Sequence, residues 1–188
     1  MSTKQKADLK VIILGDYNVG KTSLICRYIE GKFRGQEPDT AGDEKYSGLS
    51  HFYCRSAGAA ILAYDINDPK TFESLWARFS PMLSAANDDC MRVIVATKSD
   101  LLEPGSREIT VDEGKRLARE FNAHIDLTKV PFEPYFETSS KLGTGVTEVF
   151  EYIFQHCLPL SDEQKKRHTD IIDLVDAPRG QDKTKCSC

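Results

Sequence analysis

The stretch that decides the fold is Gly15-Asp16-Tyr17-Asn18-Val19-Gly20-Lys21-Thr22, which matches the pattern GxxxxGK[ST]. The glycines of this pattern let backbone N–H groups close around phosphate oxygens, and the following helix N-terminus adds positive potential. An apolar run at 11–14 precedes the stretch, and a helical pattern with Leu24, Ile25, Tyr28 and Ile29 follows it. A strand, a loop and a helix in this order predict a nucleotide-phosphate site, whereas a simple turn with an exposed lysine is the plainer alternative.

Each polar residue of this loop has an expected task. Lys21 is expected to neutralise the β- and γ-phosphates, and Thr22 is expected to offer its hydroxyl to Mg²⁺. The predicted phosphate-binding residues from this region are Gly15, Asn18, Val19, Gly20, Lys21, Thr22 and Ser23.

Short apolar runs alternate with amphipathic helical patterns along the chain. Runs at 59–64 and 92–96 join 11–14 as predicted buried strands, and 135–136 is a weaker fourth. Strands that are apolar throughout and separated by helices predict a parallel sheet covered on both faces. The fold class is therefore α/β, a three-layer P-loop NTPase fold with a reduced, mostly parallel sheet of about four strands.

Three predicted helices carry clear start or face signals. Asp68 and Pro69 open the first, and Pro81 should end it near Ser80. Thr110 and Glu113 form a capping box at the start of the second. The expected inward residues of the first helix are Phe72, Leu75, Trp76, Phe79 and Leu83, and those of the last are Val146, Val149, Phe150, Ile153, Phe154 and Cys157.

The composition suits one globular domain and limits the function classes. The chain has 188 residues, 40% hydrophobic and 29% charged, with a formal net charge of −4, so no basic field for nucleic acid is expected. No apolar run is long enough for a transmembrane helix, and the N-terminus has no signal-peptide pattern. Residues 1–160 are predicted to form the domain and 161–188 a flexible C-terminal tail. Cysteines 26, 54, 90 and 157 fit reduced core positions.

Two further motifs indicate that the base is guanine. Thr97-Lys98-Ser99-Asp100 follows the third predicted strand, and Glu137-Thr138-Ser139-Ser140-Lys141 follows the fourth. Open α/β sheets bind ligands at these strand ends. The Asp100 carboxylate can accept from guanine N1–H and the 2-amino group, which adenine does not present. Lys98 can pack its stem over the ring, and a backbone N–H near Ser140 can meet O6.

With these motifs in hand, the chain resembles the Ras superfamily of small GTPases. Asp39-Thr40-Ala41-Gly42 is similar to the family's DTAG motif, which implies that Gly42 senses the γ-phosphate and Asp39 holds Mg²⁺ through water. Phe33, twelve positions after Lys21, matches the aromatic that flanks guanine in this family. The guanine-binding residues implied by the resemblance are Phe33, Thr97, Lys98, Asp100, Leu101, Ser139, Ser140 and Lys141.

Within the superfamily, the chain resembles a Rab. The segment 43–49, followed by Phe52-Tyr53, is similar to Rab switch II, and TKSDLLE and FETSSK resemble the divergent Rab twenty-four and Rab twenty branch. Cys186-Ser187-Cys188 is similar to the Rab C-x-C ending, in which both cysteines are geranylgeranylated. Two lipid chains give stable anchoring where one would be marginal.

The Rab resemblance also implies partners and a location. The implied partners are GTP or GDP, Rab escort protein with geranylgeranyl transferase, and GDP-dissociation inhibitor, with no nucleic acid. The implied location is cytoplasmic, at the cytosolic face of endomembranes and held there by the geranylgeranyl groups. An exposed, unmodified pair of terminal cysteines is the alternative.

The chain departs from the family between Lys21 and Asp39, which are only eighteen positions apart. In the family, this interval holds switch I and two strands, but residues 31–38 contain a single large apolar residue, Phe33, and cannot supply two strands. We therefore expect the first strand to become a sheet edge. We also expect the switch I threonine that binds Mg²⁺ and the γ-phosphate to be missing, and Asp39 to be poorly preorganised for metal.

The residues expected to support hydrolysis are also altered. Asp43 stands where most of the family has the glutamine that orients the attacking water, so no catalytic residue is assigned. Tyr17 is bulky at a position that is usually small, and Thr97 replaces the asparagine that contacts guanine N7. Hydrolysis of GTP is therefore expected to be slow or defective.

Three function hypotheses follow. The first is a Rab-like guanine-nucleotide-binding protein in vesicle traffic, with impaired hydrolysis and switching. The most economical origin of its gap is the loss of an internal coding segment, as in an alternatively spliced product. The second is a membrane-tethered binding protein that no longer switches and binds little nucleotide. The third, a P-loop ATPase or kinase, is disfavoured because adenine lacks the N1–H that Asp100 would bind.

Overall fold

The computed structural model describes residues 9–33, 35 and 52–158. Four strands alternate with four helices over this part of the chain. In order they are β1 Val11–Leu14, α1 Lys21–Glu30, β2 Ala59–Asp65, α2 Pro69–Phe79, β3 Met91–Thr97, α3 Val111–Phe121, β4 Tyr135–Glu137 and α4 Val146–Cys157. Short 3₁₀ turns lie at Met82–Ala85, Ser99–Leu101 and Leu127–Lys129.

The four strands form one parallel sheet in the order β1-β2-β3-β4. Val11 pairs with Ala59 at one end of the first ladder, and Asp65 pairs with Thr97 at the far end of the second. The α/β prediction and all four predicted strands are confirmed. Within the described residues, β1 pairs with β2 alone, as expected for a first strand at the sheet edge. The carboxyl ends of all four strands meet at one edge, which is where the site lies.

The helices begin where the sequence signals place them. The Asp68 carboxylate accepts from the Lys70 N–H with Pro69 in the first turn, and α2 ends with Ser80 as its C-cap. In α3, the Thr110 hydroxyl accepts from the Glu113 N–H while the Glu113 carboxylate accepts from the Thr110 N–H. These reciprocal bonds satisfy helix-end donors that would otherwise lack partners.

Apolar side chains fill both faces of the sheet. Helices α2 and α3 cover one face, where Leu62 and Ile94 meet Leu75 and Phe121. Helices α1 and α4 cover the other, where Val93 packs among residues of both helices, including Leu24. Strand side chains alternate between the two faces, so every central residue is buried and the strands read as continuously apolar.

One residue predicted to face the core, Trp76, is more exposed than expected. Trp76 is 48% exposed, because α2 turns Leu75 and Phe79 to the sheet while the Trp76 ring lies against Phe121 at 4.8 Å. On α1, Ile25 and Ile29 are also exposed. Leu24 and Tyr28 face the core instead, and the Tyr28 ring stacks on Phe150 at a centroid distance of 4.0 Å.

Several predicted features lie outside the described residues, namely Asp39, Gly42 and Asp43, the Rab-like segment 43–49, and the tail with Cys186 and Cys188. Cysteines 26, 54, 90 and 157 form no disulfide, and Cys54 and Cys90 are fully buried. In the described part of the chain, no helix has the length and apolarity needed to cross a bilayer.

Candidate nucleotide-binding site

The loop between β1 and α1 is held close to the sheet by its glycines. Gly15 has φ +151°, and a Cβ there would lie 2.3 Å from the Ala63 carbonyl oxygen. Gly20 is left-handed, with φ +92°, and no side chain caps the helix N-terminus that follows it. The first N–H groups of α1 point back toward the loop, where an anion bound at the helix N-terminus would lie.

Lys21 crosses the loop that precedes it. Its ammonium donates to the carbonyl oxygens of Gly15 and Asp16 at 2.8 and 2.7 Å, and the residue is only 4% exposed. A buried cation inside a ring of backbone groups provides strong attraction for phosphate, because little water screens it. Thr22 follows in the first turn of α1, at the position that would place its hydroxyl beside a phosphate-bound metal ion.

The phosphate loop is also tied to helix α2 by contacts that the sequence did not indicate. The Ser74 hydroxyl donates to Asp16 Oδ2 at 2.5 Å, and the Arg78 guanidinium pairs with Asp16 Oδ1. Asp16 occupies a position that the loop pattern leaves unspecified, so the local sequence does not predict an ion pair for its carboxylate. The ion pair fixes the outer side of the loop to a neighbouring helix.

On the base side, Asp100 is oriented by the loop that follows β4. The Ser139 hydroxyl donates to Asp100 Oδ1 at 2.6 Å, and Ser139 itself is fully buried. The Ser99 N–H donates to the Thr138 carbonyl at 3.0 Å, so the two loops are also joined through backbone. One Asp100 oxygen is thus held, and the carboxylate stays in a fixed plane.

Lys98 is positioned by two residues that sequence reasoning missed. Its ammonium lies 2.8 Å from Asp65 Oδ2, at the carboxyl end of β2. The Asn67 amide donates to Asp65 Oδ1 and to the Lys98 carbonyl, both at 3.2 Å. The stem passes above Gly20, where an added Cβ would lie 4.0 Å from Lys98 Cε. A Lys98 held at its far end presents its methylenes as a flat apolar wall.

Thr97 joins the phosphate side of the site to the sheet. Its hydroxyl oxygen lies 2.6 Å from the Val19 carbonyl oxygen and 2.8 Å from that of Tyr64. Thr97 is only 2% exposed, so its hydroxyl is shielded from solvent. One hydroxyl proton serves two carbonyl acceptors, which leaves no donor on Thr97 for another group.

These elements enclose one cavity of about 380 Å³. The lining residues are Asn18, Gly20, Ser23, Phe33, Gly35, Thr97, Lys98, Asp100, Leu101, Ser140 and Lys141. All of them except Gly35 belong to the predicted phosphate or guanine sets. The other described members of these sets do not line the cavity, namely Gly15, Val19, Lys21, Thr22 and Ser139.

The predicted metal site is described only in part. Thr22 offers one hydroxyl, and its predicted partner Asp39 lies outside the described residues. Over residues 9–33, 35 and 52–158, no cluster of three or more histidine, cysteine or acidic side chains could hold an ion. A single hydroxyl fits Mg²⁺ only as one ligand among phosphate oxygens and water, which is the usual manner of nucleotide-bound magnesium.

The chain is similar to known proteins over nearly its whole length. The Ras family model matches residues 10–38 and 36–158. The Ras-related protein Rab-20 of Mus musculus is 30% identical, covering 98% of this chain and 99% of the relative. RABG3f of Arabidopsis thaliana is 32% identical, and the Ypt/Rab-type GTPase avaA of Emericella nidulans is 30% identical, each covering 100% of both chains.

The comparisons also bear on the missing segment. The family match is broken at 36–38, within the short interval between Lys21 and Asp39. The alignment with the mouse protein spans 230 positions, which exceeds the 188 residues of this chain by 42 and therefore opens gaps in it. Both findings agree with the loss of an internal segment, and the four-stranded parallel sheet agrees with them. The chain belongs to the Ras family, as a divergent Rab-like small GTPase.

Proposed function

We propose that this chain binds GTP and GDP as a Rab-like protein of vesicle traffic, and that its hydrolysis and switching are impaired. The observation that carries the proposal is the cavity in which the phosphate loop and both base loops meet. The names of the relatives support the Rab assignment, and the broken family match supports the impairment.

Base selection would depend on Asp100. With Oδ1 held by Ser139, the carboxylate can accept from guanine N1–H and the 2-amino group in one plane. Leu101 and Phe33 line the same cavity as Lys98, so the ring would lie between apolar surfaces. The backbone at Ser140 would meet O6. Adenine offers no donor to Asp100, so the two hydrogen bonds that guanine would give this carboxylate would be lost.

Phosphate binding would depend on the loop and on Lys21. The N–H groups at the start of α1 and the buried ammonium provide a fixed positive environment for the β-phosphate. Magnesium bound with the nucleotide would neutralise phosphate charge, with the Thr22 hydroxyl as a protein ligand and Asp39 as the proposed second one. Gly42 is the proposed contact to the γ-phosphate.

We propose slow hydrolysis because of two residues, Tyr17 in the phosphate loop and Asp43 directly after the DTAG-like motif. Asp43, at the position of the water-orienting glutamine, would be repelled by phosphate charge. The exposed ring of Tyr17, in the phosphate loop, would obstruct an arginine supplied by another protein. We expect a single-turnover rate on the order of 10⁻⁴ s⁻¹ or lower.

Membrane attachment is proposed through Cys186 and Cys188. Geranylgeranylation of both would require Rab escort protein and geranylgeranyl transferase, and retrieval would use GDP-dissociation inhibitor. The protein would then act at the cytosolic face of endomembranes. Replacing both cysteines by serine should leave the protein in the cytosol, and continued membrane retention would exclude lipid anchoring.

A second candidate is a tethered binding protein that no longer switches, which the break at 36–38 favours. Titration with mant-GDP separates the two candidates. If the first holds, fluorescence rises on adding protein and falls with excess GTP but not with excess ATP. Absence of binding at micromolar protein would support the second candidate, and displacement by ATP would refute guanine selectivity.

A further inference from the structure

The two base loops are also joined outside the cavity, by an ion pair between Arg107 and Glu137. Arg107 lies in the connection that follows Leu101, and Glu137 ends β4 directly before the Ser139 loop. Arg107 Nη1 donates to Glu137 Oε1 at 2.7 Å, and Arg107 Nη2 donates to Glu137 Oε2 at 2.9 Å. Two parallel bonds between a planar fork and a carboxylate fix orientation as well as distance.

Glu137 is in turn anchored in the core. The Tyr135 hydroxyl donates to Glu137 Oε1 at 2.8 Å, and the Tyr64 hydroxyl lies 3.2 Å from that of Tyr135. Gly114 of α3 contacts the Tyr135 ring so closely that an added Cβ would lie 2.1 Å from it. Burial raises the pKa of both tyrosines, so Tyr135 remains a neutral donor to the carboxylate.

The strength of the pair follows from its surroundings. The Arg107 and Glu137 side chains are 29% and 27% exposed, and the buried tyrosines fix one side of the carboxylate. Isolated exposed ion pairs contribute little, but bidentate pairs within a network are an exception. The Arg119–Glu133 pair offers a contrast, since its side chains are 51% and 33% exposed and it is joined through one Arg nitrogen at 2.8 Å.

We propose that the Arg107–Glu137 pair positions the guanine-recognition loops, holding the Asp100 segment against the Ser139 segment so that both face one ring. The proposal rests on the proposed guanine-nucleotide function. Neither residue of the pair lines the cavity, so both act through Asp100 and Ser140 and touch no ligand themselves. Without the pair, the connection after Leu101 would lose its hold on β4, and Asp100 would sample more orientations.

The experiment measures displacement of mant-GDP by GDP, by IDP and by inorganic pyrophosphate, for the full chain and its Arg107→Gln variant. GDP should bind about tenfold more weakly to the variant, because hydrogen bonds to a misplaced carboxylate are lost. IDP lacks the 2-amino group, so the GDP-to-IDP preference should shrink severalfold. Pyrophosphate uses only the phosphate loop and should bind unchanged. Arg119→Gln is the matched control and should leave all three affinities unchanged.

Several results would overturn the positioning role. Unchanged GDP affinity and GDP-to-IDP preference in Arg107→Gln would do so, and an equal weakening of GDP, IDP and pyrophosphate would show a merely structural contribution. If Arg107→Gln does not fold, Arg107→Lys keeps the charge without the fork and should show the same pattern to a smaller degree. If the original chain binds no mant-GDP, the proposed function itself fails and takes the positioning role with it.

Discussion

The Ser139 hydroxyl donates to Asp100 Oδ1 across 2.6 Å, joining two loops that follow different strands. Because β3 and β4 are parallel neighbours, their carboxyl ends deliver both loops to the same place. Asp100, the proposed acceptor for guanine, is thereby held by a residue that does not line the cavity itself. Base recognition as proposed would therefore depend on both loops together.

Asp100→Asn should change the preferred base from guanine to xanthine. The amide can donate to the 2-carbonyl of xanthine, while it loses the charged acceptor that guanine N1–H and the 2-amino group need. We expect GDP affinity to fall by about a hundredfold, since hydrogen bonds to charged groups contribute about 1.5–3 kcal/mol each. Displacement of mant-GDP and mant-XDP measures this exchange. Equal affinity of the variant for both bases would contradict the assignment of Asp100.

The unsubstituted chain should bind 7-deaza-GDP within about twofold of GDP, because no hydrogen bond to N7 is made. The Thr97 hydroxyl oxygen lies 2.6 Å from the Val19 carbonyl oxygen and 2.8 Å from the Tyr64 carbonyl oxygen. Its single proton is therefore shared between these two acceptors and is not donated to N7. Thr97→Asn adds amide donors, and in that variant GDP should gain over 7-deaza-GDP. Competition titrations on both proteins give the ratio, and a strong preference of the original chain for GDP would exclude this account of Thr97.

Gly15→Ala should destabilise the fold far more than Gly105→Ala. Both glycines have positive φ, at +151° and +84°, so both substitutions strain the backbone. Only at Gly15 does the added Cβ meet backbone, at 2.3 Å from the Ala63 oxygen, whereas Gly105 has no atom within 4 Å. We expect a difference of about 2 kcal/mol or more in the free energy of unfolding, measured in urea. Equal losses of unfolding free energy in the two variants would show that the phosphate loop can move to accommodate the added Cβ.

Stability should depend on pH through Glu137. The hydrogen bonds from Arg107, followed by that from Tyr135, hold the pKa of Glu137 below its ordinary value of 4.5. A depressed pKa means that the folded state favours the carboxylate, so the contribution is full above pH 4.5 and is lost as pH falls below it. Glu137→Gln should therefore show a flatter loss of stability between pH 5 and 3 in urea titrations. An identical pH slope in both proteins would contradict this role.

Much of the fold and half of the site could be predicted because the signals are local. The phosphate loop is a contiguous pattern between a strand and a helix, and β1 and α1 fall where that pattern places them. The apolar runs predicted all four strands because both faces of a parallel sheet are covered. Asp100 and Ser140 were predictable because each lies three residues after such a strand.

The supporting contacts could not be predicted, since they join residues far apart in sequence. Asp16 meets Arg78 across 62 positions, and Arg107 meets Glu137 across 30. No local sequence pattern links charged residues at such separations. From sequence alone, each is therefore indistinguishable from a solvent-exposed charged residue, because only the folded sheet brings the two together. The prediction that Trp76 faces the core was wrong for a related reason. The helical pattern places several apolar residues on one face, but it does not show which of them pack against the sheet.

The placement of Thr97 has a consequence for how the two halves of a nucleotide would help each other. Its hydroxyl lies between the Val19 carbonyl of the phosphate loop and the Tyr64 carbonyl of β2, beside the base loop. A guanosine that orders the base loop would therefore lower the entropy cost of ordering the phosphate loop when a diphosphate binds there. The intact nucleotide should bind more tightly than the separate affinities of guanosine and diphosphate suggest, as a chelating ligand binds more tightly than its separate donor groups.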